Sequence, residues 1–209
     1  MPSTDAATLE TSRDAGAARA PDAATVQSSL GRIAAEVASL VDRLVGEPGD
    51  LDRVLDVITG ADRIFVLGAG RSGLALRMTA MRLMHLGLDV HIVGDTTTPA
   101  IRAGDALLTA SGSGTTTGIV RAAETAADVG ARIVAITTAP DSPLGRAADA
   151  LVVVPAAAKL DRSGAASAQY AGSLFEQAVV LVGDAIFDAL WHRSGLSAND
   201  LWPRHANLE

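Results

Sequence analysis

The chain has 209 residues, of which 48% are apolar, 20% charged and 3% aromatic, a balance that suits one α/β domain and excludes global disorder. A net charge of −7 argues against nucleic-acid binding, which needs a basic face. Without cysteine, disulfides, thiolate metal sites and cysteine nucleophiles are excluded. The apolar runs are too short to cross a bilayer and the N-terminus lacks a secretory pattern, so we predict a cytoplasmic protein with no membrane contact.

The composition changes along the chain. Residues 1–25 contain almost no large apolar side chain, so we predict a flexible tail there. From Val26 onward apolar residues recur at steps of three and four, which predicts a helix to about residue 45 and a shorter one over 51–58. The rest of the chain is predicted to be one domain. It comprises a helical arm over 26–60, an α/β core over 61–195 and a C-terminal tail over 196–209.

Apolar strands and helices then alternate through the core. Each predicted strand is a short apolar run bounded by glycine or polar residues, and a helical period follows most of them. The predicted strands cover 63–67, 89–93, 106–109, 132–137 and 151–154, and the predicted helices cover 71–86, 116–129, 143–148 and 172–193. This alternation predicts an α/β fold: a doubly wound, five-stranded parallel sheet with N-terminal helices.

A first glycine-rich turn follows the first predicted strand. Residues 68–73 read GAGRSG, which matches the pattern GxGxxG between a strand and a helix. One interpretation is a dinucleotide site, with the pyrophosphate at the helix N-terminus and Asp95 after the next strand. Another is that the glycines only let the helix pack closely on the strand. We favour a different ligand over both, because of the turn described next.

A second turn follows the third predicted strand. Residues 111–116 read SGSGTT and open a helix, where unpaired backbone N–H groups favour an anion and four hydroxyl side chains add donors. The alternative interpretation is an ordinary helix cap by Ser113 or Thr115. The GK[ST] signature of the nucleotide P-loop is absent. We therefore predict a phosphate site without a lysine.

These two turns, in this order, resemble those of the sugar isomerase (SIS) domain family, a flavodoxin-like α/β fold that binds phosphosugars. Four later segments are similar to the 6-phospho-3-hexuloisomerases within that family, and the resemblance runs from about residue 26 to the last. They are residues 81–87 (MRLMHLG), 93–99 (VGDTTTP), 172–177 (GSLFEQ) and 204–209 (RHANLE). The chain departs from the family at Tyr170 and Ala171, where Pro-Met is frequent, and in its longer N-terminal tail.

The resemblance implies an isomerisation of D-arabino-3-hexulose 6-phosphate to D-fructose 6-phosphate through a cis-enediol, in the ribulose monophosphate route of formaldehyde fixation. One carboxylate can act first as base and then as acid, so we expect no metal and no cofactor. The family position for that carboxylate is Glu176; the alternative is that Ser173 and Glu176 form a capping box that only starts the helix. The resemblance also implies catalytic roles for His85 and for His205, the latter in its own or a neighbouring subunit.

The remaining predicted site residues come from the two turns and from the segment after the second strand. For the substrate phosphate they are Ser72, Ser111, Ser113 and Thr116, and for the sugar they are Arg71, Thr97 and Thr98. The expected partners are a sugar phosphate and further copies of the chain, in a homotetramer or dimer. Hexulose-phosphate synthase is expected as a pathway partner only.

Three other functions are open on the sequence. Another SIS aldose or ketose phosphate isomerase would share the phosphate turn and the carboxylate. A non-catalytic phosphosugar-binding regulator would share only the turn, although the N-terminal tail is too short and too poor in apolar residues for a helix-turn-helix. A dinucleotide oxidoreductase would leave the second turn without a purpose. The presence of Glu176 favours an isomerase.

Overall fold

The computed structural model describes residues 25–46, 49–157 and 167–208. The predicted tail lies outside these residues except for Thr25. The helices are α1 (Val26–Gly46), α2 (Leu51–Thr59), α3 (Gly70–His85), α4 (Thr117–Asp128), α5 (Pro143–Ala147), α6 (Ser173–Ser194) and α7 (Ala198–Leu201), followed by a 3-10 turn (Trp202–Arg204). The strands are β1 (Ile64–Gly68), β2 (Val90–Ile92), β3 (Ala106–Ala110), β4 (Arg132–Thr137) and β5 (Ala150–Val153).

The five strands form one parallel sheet in the order β2-β1-β3-β4-β5. In the register, Ile64 of β1 lies beside Val90 of β2 on one side and Ala106 of β3 on the other. This strand order is that of flavodoxin-like doubly wound sheets, so the predicted fold class is confirmed. The largest difference from the predicted elements is β2, which is shorter than 89–93 because it is an edge strand with one partner and ends before a turn at Gly94.

Alternate residues of each central strand point to opposite faces of the sheet and build two cores. On β1, Ile64 and Val66 pack with α1, α2, α3 and α6, whereas Phe65 packs with α4 and α5. On β4, Val134 and Ile136 join the first core, and their neighbours join the second. Both faces of the central strands are therefore covered, which explains why these segments are apolar at nearly every position in the sequence.

A crevice opens where the chain changes direction between β1 and β3. The helix after β1, α3, packs on one face of the sheet, and the helix after β3, α4, packs on the other. The turns that follow these adjacent strands therefore diverge at the carboxyl edge, which is where ligands bind in doubly wound sheets. The two glycine-rich turns of the sequence are these two turns.

The C-terminal residues are more ordered than a tail. Ser197 and Asp200 form a capping box at the start of α7, in which the Asp200 carboxylate accepts hydrogen bonds from the Ser197 N–H (2.8 Å) and hydroxyl (2.6 Å). The indole N–H of Trp191 donates to the carbonyl of Leu196 at 2.7 Å. The four-residue helix α7 is too short to show a helical period, so sequence reading missed it. In the described part of the chain, no helix is both long and apolar enough to span a membrane.

Candidate active site

The crevice at the carboxyl edge of the sheet is a cleft of about 480 Å³. Three segments line it: the turn after β1, the turn after β3 and the first turn of α6. Its lining includes Arg71 and Ser72 from the first segment, Ser111, Ser113, Thr115 and Thr116 from the second, and Phe175 and Glu176 from the third. The cleft therefore brings together five of the residues predicted for phosphate and sugar binding and the predicted carboxylate.

The glycines of the first turn pack the helix onto the strand. A Cβ at Gly73 would lie 2.4 Å from the Gly68 carbonyl oxygen, and a Cβ at Gly68 would lie 2.7 Å from the Gly73 Cα. Gly70 has φ +56°, a left-handed conformation that favours glycine. The GxGxxG spacing thus has a packing explanation, and it brings the buried Ser72 to the cleft at the start of α3.

Asp95, the acidic residue in the dinucleotide interpretation, is engaged elsewhere. Its carboxylate pairs with Arg77 of α3 at 3.1 Å. An ion pair of this kind on the surface orients the loop after β2 against α3. Nothing in this arrangement directs Asp95 toward a ribose in the cleft.

Residues of neighbouring loops hold the second turn in place. The carbonyl oxygen of Gly112 accepts hydrogen bonds from the hydroxyls of Thr137 (3.1 Å) and Thr138 (2.8 Å) at the end of β4. Gly114 has φ +61°, and a Cβ there would lie 1.8 Å from the Ser142 hydroxyl oxygen. Glycine is therefore required at Gly114 by both conformation and space.

The hydroxyls of the second turn line the cleft as two hydrogen-bonded pairs. Those of Ser111 and Thr116 are hydrogen-bonded to each other at 3.0 Å, and Thr115 donates to the Ser113 hydroxyl oxygen at 3.0 Å. Thr116 is the N-cap residue of α4, but its hydroxyl is directed to Ser111 instead of to the helix. Hydroxyls grouped beside the N-terminus of a 12-residue helix form an anion-binding arrangement.

Glu176 projects from the first turn of α6 into the same cleft. Its Oε2 lies 2.9 Å from Nε of Arg71, and its side chain is 22% exposed against 64% for Arg71. The capping box does not form, because α6 begins one residue earlier than that interpretation requires: Gly172 is the N-cap, and Ser173 is already the first helical residue. The carboxylate is therefore free of a capping role and is held by a cation at the mouth of the cleft.

His85 and His205 lie together, away from this cleft. His85 is the last residue of α3, 14 residues after Arg71, which corresponds to roughly 21 Å along the helix. Its ring stacks on that of His205 with centroids 4.0 Å apart, and its Nδ1 is buried without a hydrogen-bond partner among the described residues. Burial lowers the pKa of His85, and the nearby His205 and Arg82 lower it further. Within one chain, these histidines do not meet Glu176.

Thr97 and Thr98 follow β2 and are not among the residues that line the cleft in the described chain. The Thr98 hydroxyl donates to the carbonyl of Ile92 at 2.5 Å, and the Thr98 N–H donates to the carbonyl of Asp95 at 3.1 Å. Thr98 therefore stabilises the turn that precedes Pro99. Thr97 is exposed beside it.

Two apolar cleft residues were not predicted as site residues. Phe175 packs against the second turn, with its Cδ1 3.4 Å from the position of a Cβ at Gly112, and Ile119 lines the cleft from α4. Both look like ordinary core residues in the sequence, so periodicity offers no signal for them. The only available signal is the position of Phe175 next to Glu176.

A cleft at this switch point, lined by a hydroxyl-rich turn, is the site of a phosphosugar-binding α/β domain. A sequence profile described as "SIS domain" matches residues 57–180, more than half of the chain. The chain belongs to the SIS domain family.

Among its relatives, a 3-hexulose-6-phosphate isomerase from Mycobacterium gastri is 54% identical over 184 residues, which are 88% of this chain and 92% of that protein. One from Bacillus subtilis is 38% identical over 161 residues, which are 77% of this chain and 87% of that protein. A protein from Methanococcus jannaschii, whose crystal structure was described as inferring 3-hexulose-6-phosphate isomerase function, superposes with a TM-score of 0.73 and 29% identity. That superposition covers 87% of this chain and 99% of the other.

Proposed function

We propose that this chain converts 3-hexulose 6-phosphate to fructose 6-phosphate, with Glu176 moving the proton. One relative named for this activity is 54% identical to this chain, and the alignment covers 88% of this chain and 92% of that protein. The observation that carries the proposal is the Arg71–Glu176 pair at 2.9 Å, placed in one cleft with the hydroxyls of the second turn. An acid–base group and an anion site thus face the same space.

The chemistry needs one carboxylate. The Glu176 carboxylate takes the proton from C2, and the C–H electron pair forms the C2=C3 double bond. The C3 carbonyl oxygen becomes a hydroxyl by taking a proton from solvent water, which receives one back from O2 in the next step. The resulting enediol then collapses: O2 loses its proton and becomes the C2 carbonyl, and the Glu176 carboxyl returns a proton to C3. Atoms and charge balance, and the net change is a ketone moved from C3 to C2.

The second turn is the proposed binding site of the substrate phosphate. Hydroxyl groups are provided there by Ser111, Ser113 and Thr116, and backbone N–H groups by the start of α4. Ser72, at the start of α3, lines the opposite side of the site. Arg71 supplies positive charge. A guanidinium has five N–H donors, so those not used for Glu176 can donate to substrate oxygens.

The predicted roles of His85 and His205 require a second copy of the chain. An exposed apolar stripe of Leu74, Met78 and Met81 runs along α3 between Arg71 and His85. If two α3 helices pair antiparallel about Met78, each Arg71 lies beside the partner's His85, because both are seven residues (about 10 Å) from the centre. This supports a homodimer or homotetramer with shared sites.

Mixing inactive Glu176→Gln chains with inactive His205→Ala chains tests the shared site. Hybrid assemblies regain activity only if a histidine of one copy completes the cleft of another. We also propose that the protein works in the cytoplasm, where phosphorylated sugars are made and consumed, with hexulose-phosphate synthase as the preceding enzyme. Thr97 and Thr98 retain a proposed role in sugar binding only in such an assembly.

The main test is turnover of enzymatically generated 3-hexulose 6-phosphate by the purified chain. We expect the wild type to form fructose 6-phosphate and Glu176→Gln to lose about a thousandfold in kcat, since general acid–base catalysis contributes that order of rate. Fructose 6-phosphate should still protect the variant against thermal unfolding. The matched control is Glu124→Gln, at an exposed glutamate of α4, which should keep wild-type kcat.

Each alternative has its own outcome. Turnover of five- or seven-carbon ketose phosphates in preference to the hexulose would indicate another isomerase of this family. Binding of sugar phosphates without any turnover would indicate a regulator. A Glu176→Gln variant with wild-type kcat would overturn the assignment of the base.

A further inference from the structure

An acidic residue of the N-terminal helix holds the segment that leads into α6. Glu36 of α1 accepts three hydrogen bonds across more than 130 residues of sequence. The donors are the Ser167 hydroxyl (2.7 Å), the Ala168 N–H (2.8 Å) and the side-chain amide of Gln169 (3.0 Å). One carboxylate therefore fixes three consecutive residues on the surface of α1.

The same segment is tied to the first turn of α6. The side-chain amides of Gln169 and Gln177 form a reciprocal pair, with hydrogen bonds of 3.1 Å and 2.8 Å. Gln177 is the residue after Glu176 in α6. A continuous chain of hydrogen bonds thus runs from Glu36 through Gln169 to the helical turn that carries Glu176.

The backbone between these contacts is strained. Ala171, two residues before α6, has φ +51°, a left-handed conformation that is costly for any residue with a Cβ. Such a conformation persists only when the surroundings hold it. The contacts of Glu36 and Gln177 lie on either side of Ala171.

We propose that Glu36 is a positioning residue for Glu176: by clamping residues 167–169 to α1, it sets the direction from which α6 enters the cleft. This inference rests on the proposed role of Glu176 as the proton-transfer group. It gives the helical arm, which lies outside the cleft, a part in catalysis.

The clamp requires a carboxylate. All three neighbours of Glu36 are donors, and an ionised carboxylate is acceptor-only with two oxygens. A glutamine at this position would present an NH₂ group to at least one of those donors. The hydrogen bond from Ser167 is the largest cause that lowers the pKa of Glu36, and those from Ala168 and Gln169 add to it despite partial burial.

The test compares kcat and KM of wild type, Glu36→Gln, Gln177→Ala and the double variant in the hexulose 6-phosphate assay. We expect each single variant to lose about tenfold or more in kcat, with KM within about twofold, because small displacements of a catalytic group are costly. The double variant should lose no more than the worse single one, since both break one chain of hydrogen bonds. Glu124→Gln is again the matched control.

A structural role alone would give a different result. It would lower the melting temperature of Glu36→Gln while leaving the kcat of the folded enzyme unchanged, and that outcome overturns the inference. Multiplicative losses in the double variant also overturn it. If Glu36→Gln fails to fold, Gln169→Ala breaks the same chain at its centre and should show the same loss of kcat. An inactive wild type would reject the proposed function, whereas an active wild type with unchanged variants rejects only the positioning role.

Discussion

The two glycine-rich turns of this chain follow adjacent strands and open helices, yet their glycines have different neighbours. In the first turn, Gly68 and Gly73 lie against each other, so backbone atoms of each occupy the space that a side chain on the other would need. In the second, Gly114 lies against Ser142, and the loop is held by threonines at the end of β4. The first turn joins a helix to a strand, and the second presents hydroxyls to the cleft.

This difference shows what a glycine motif can and cannot indicate. A run such as GxGxxG reports that side chains are excluded, but it does not say whether a ligand or the protein's own backbone takes the space. Here the backbone takes it. The hydroxyl residues between the glycines, rather than the glycines themselves, are what favour an anion at the second turn.

The largest effect should come from breaking the first turn. In Gly73→Ala the new Cβ would lie 2.4 Å from the Gly68 carbonyl oxygen, and neither backbone can move without separating α3 from β1. We expect the free energy of unfolding to fall by about 3 kcal/mol or more. Chemical denaturation followed by circular dichroism measures it.

The control for this prediction is Gly31→Ala in α1, where no described atom lies within 4 Å of a new Cβ. That change should stabilise the protein by about 1 kcal/mol, because alanine is a better helix former. A Gly73→Ala protein as stable as wild type would show that the contact between the two glycines is not needed.

Removing hydroxyls from the second turn should weaken binding while leaving the fold intact. Ser111→Ala and Thr116→Val each remove one member of the pair at 3.0 Å. We expect KM for the hexulose phosphate to rise about tenfold in each, corresponding to roughly 1.4 kcal/mol per lost hydrogen bond to a charged group. Steady-state kinetics with a melting-temperature control measures this, and an unchanged KM would place the phosphate elsewhere.

The smallest expected effect is a change of stability with pH, caused by His85 at the end of the helix that follows the first turn. Burial lowers the pKa of His85 below the ordinary histidine value of about 6.5, so the unfolded chain binds the proton more readily. Stability should therefore decline as pH falls below about 6.5. Thermal unfolding between pH 7.5 and 5.5 measures the slope.

A His85→Asn variant should show a flatter slope, because it lacks the buried imidazole. The pKa values of Glu36 and Asp105 are also lowered, but their contribution is lost only as pH falls below about 4.5. The window above pH 5.5 therefore excludes the contribution of these two carboxylates. An identical slope in His85→Asn and wild type would contradict the assignment.

Much of the fold follows from local pattern. Segments such as 132–137, apolar at nearly every position, can only be strands covered on both sides, and their alternation with helical periods requires a parallel sheet. Short elements escape this reasoning. Helix α7 depends on the Ser197–Asp200 capping box instead of on a period, and β2 ends where pairing with a single neighbour ends.

The same distinction applies to the candidate site, where some residues could be predicted from the sequence but the contacts between them could not. The hydroxyls of Ser111 and Thr116 could be predicted from residue type and position, because a hydroxyl-rich turn at a helix start favours an anion. The role of Glu176 was predicted only through the resemblance to a family, since its position alone also suited a helix cap. The pairing of Glu176 with Arg71 could not, since 105 positions separate them in sequence. The distance of His85 from Glu176 within one chain was equally invisible.

The sequence by itself determined the class of this protein, because hydrophobic periodicity and the chemistry of two turns are local properties that a chain carries before it folds. Only the tertiary structure decided that Gly68 and Gly73 pack against each other, that Arg71 lies beside Glu176, and that Glu36 accepts hydrogen bonds from residues 167–169 before α6. Those outcomes depend on contacts between residues far apart in sequence. Such contacts are chosen by how helices and strands cover the sheet, which no single segment specifies.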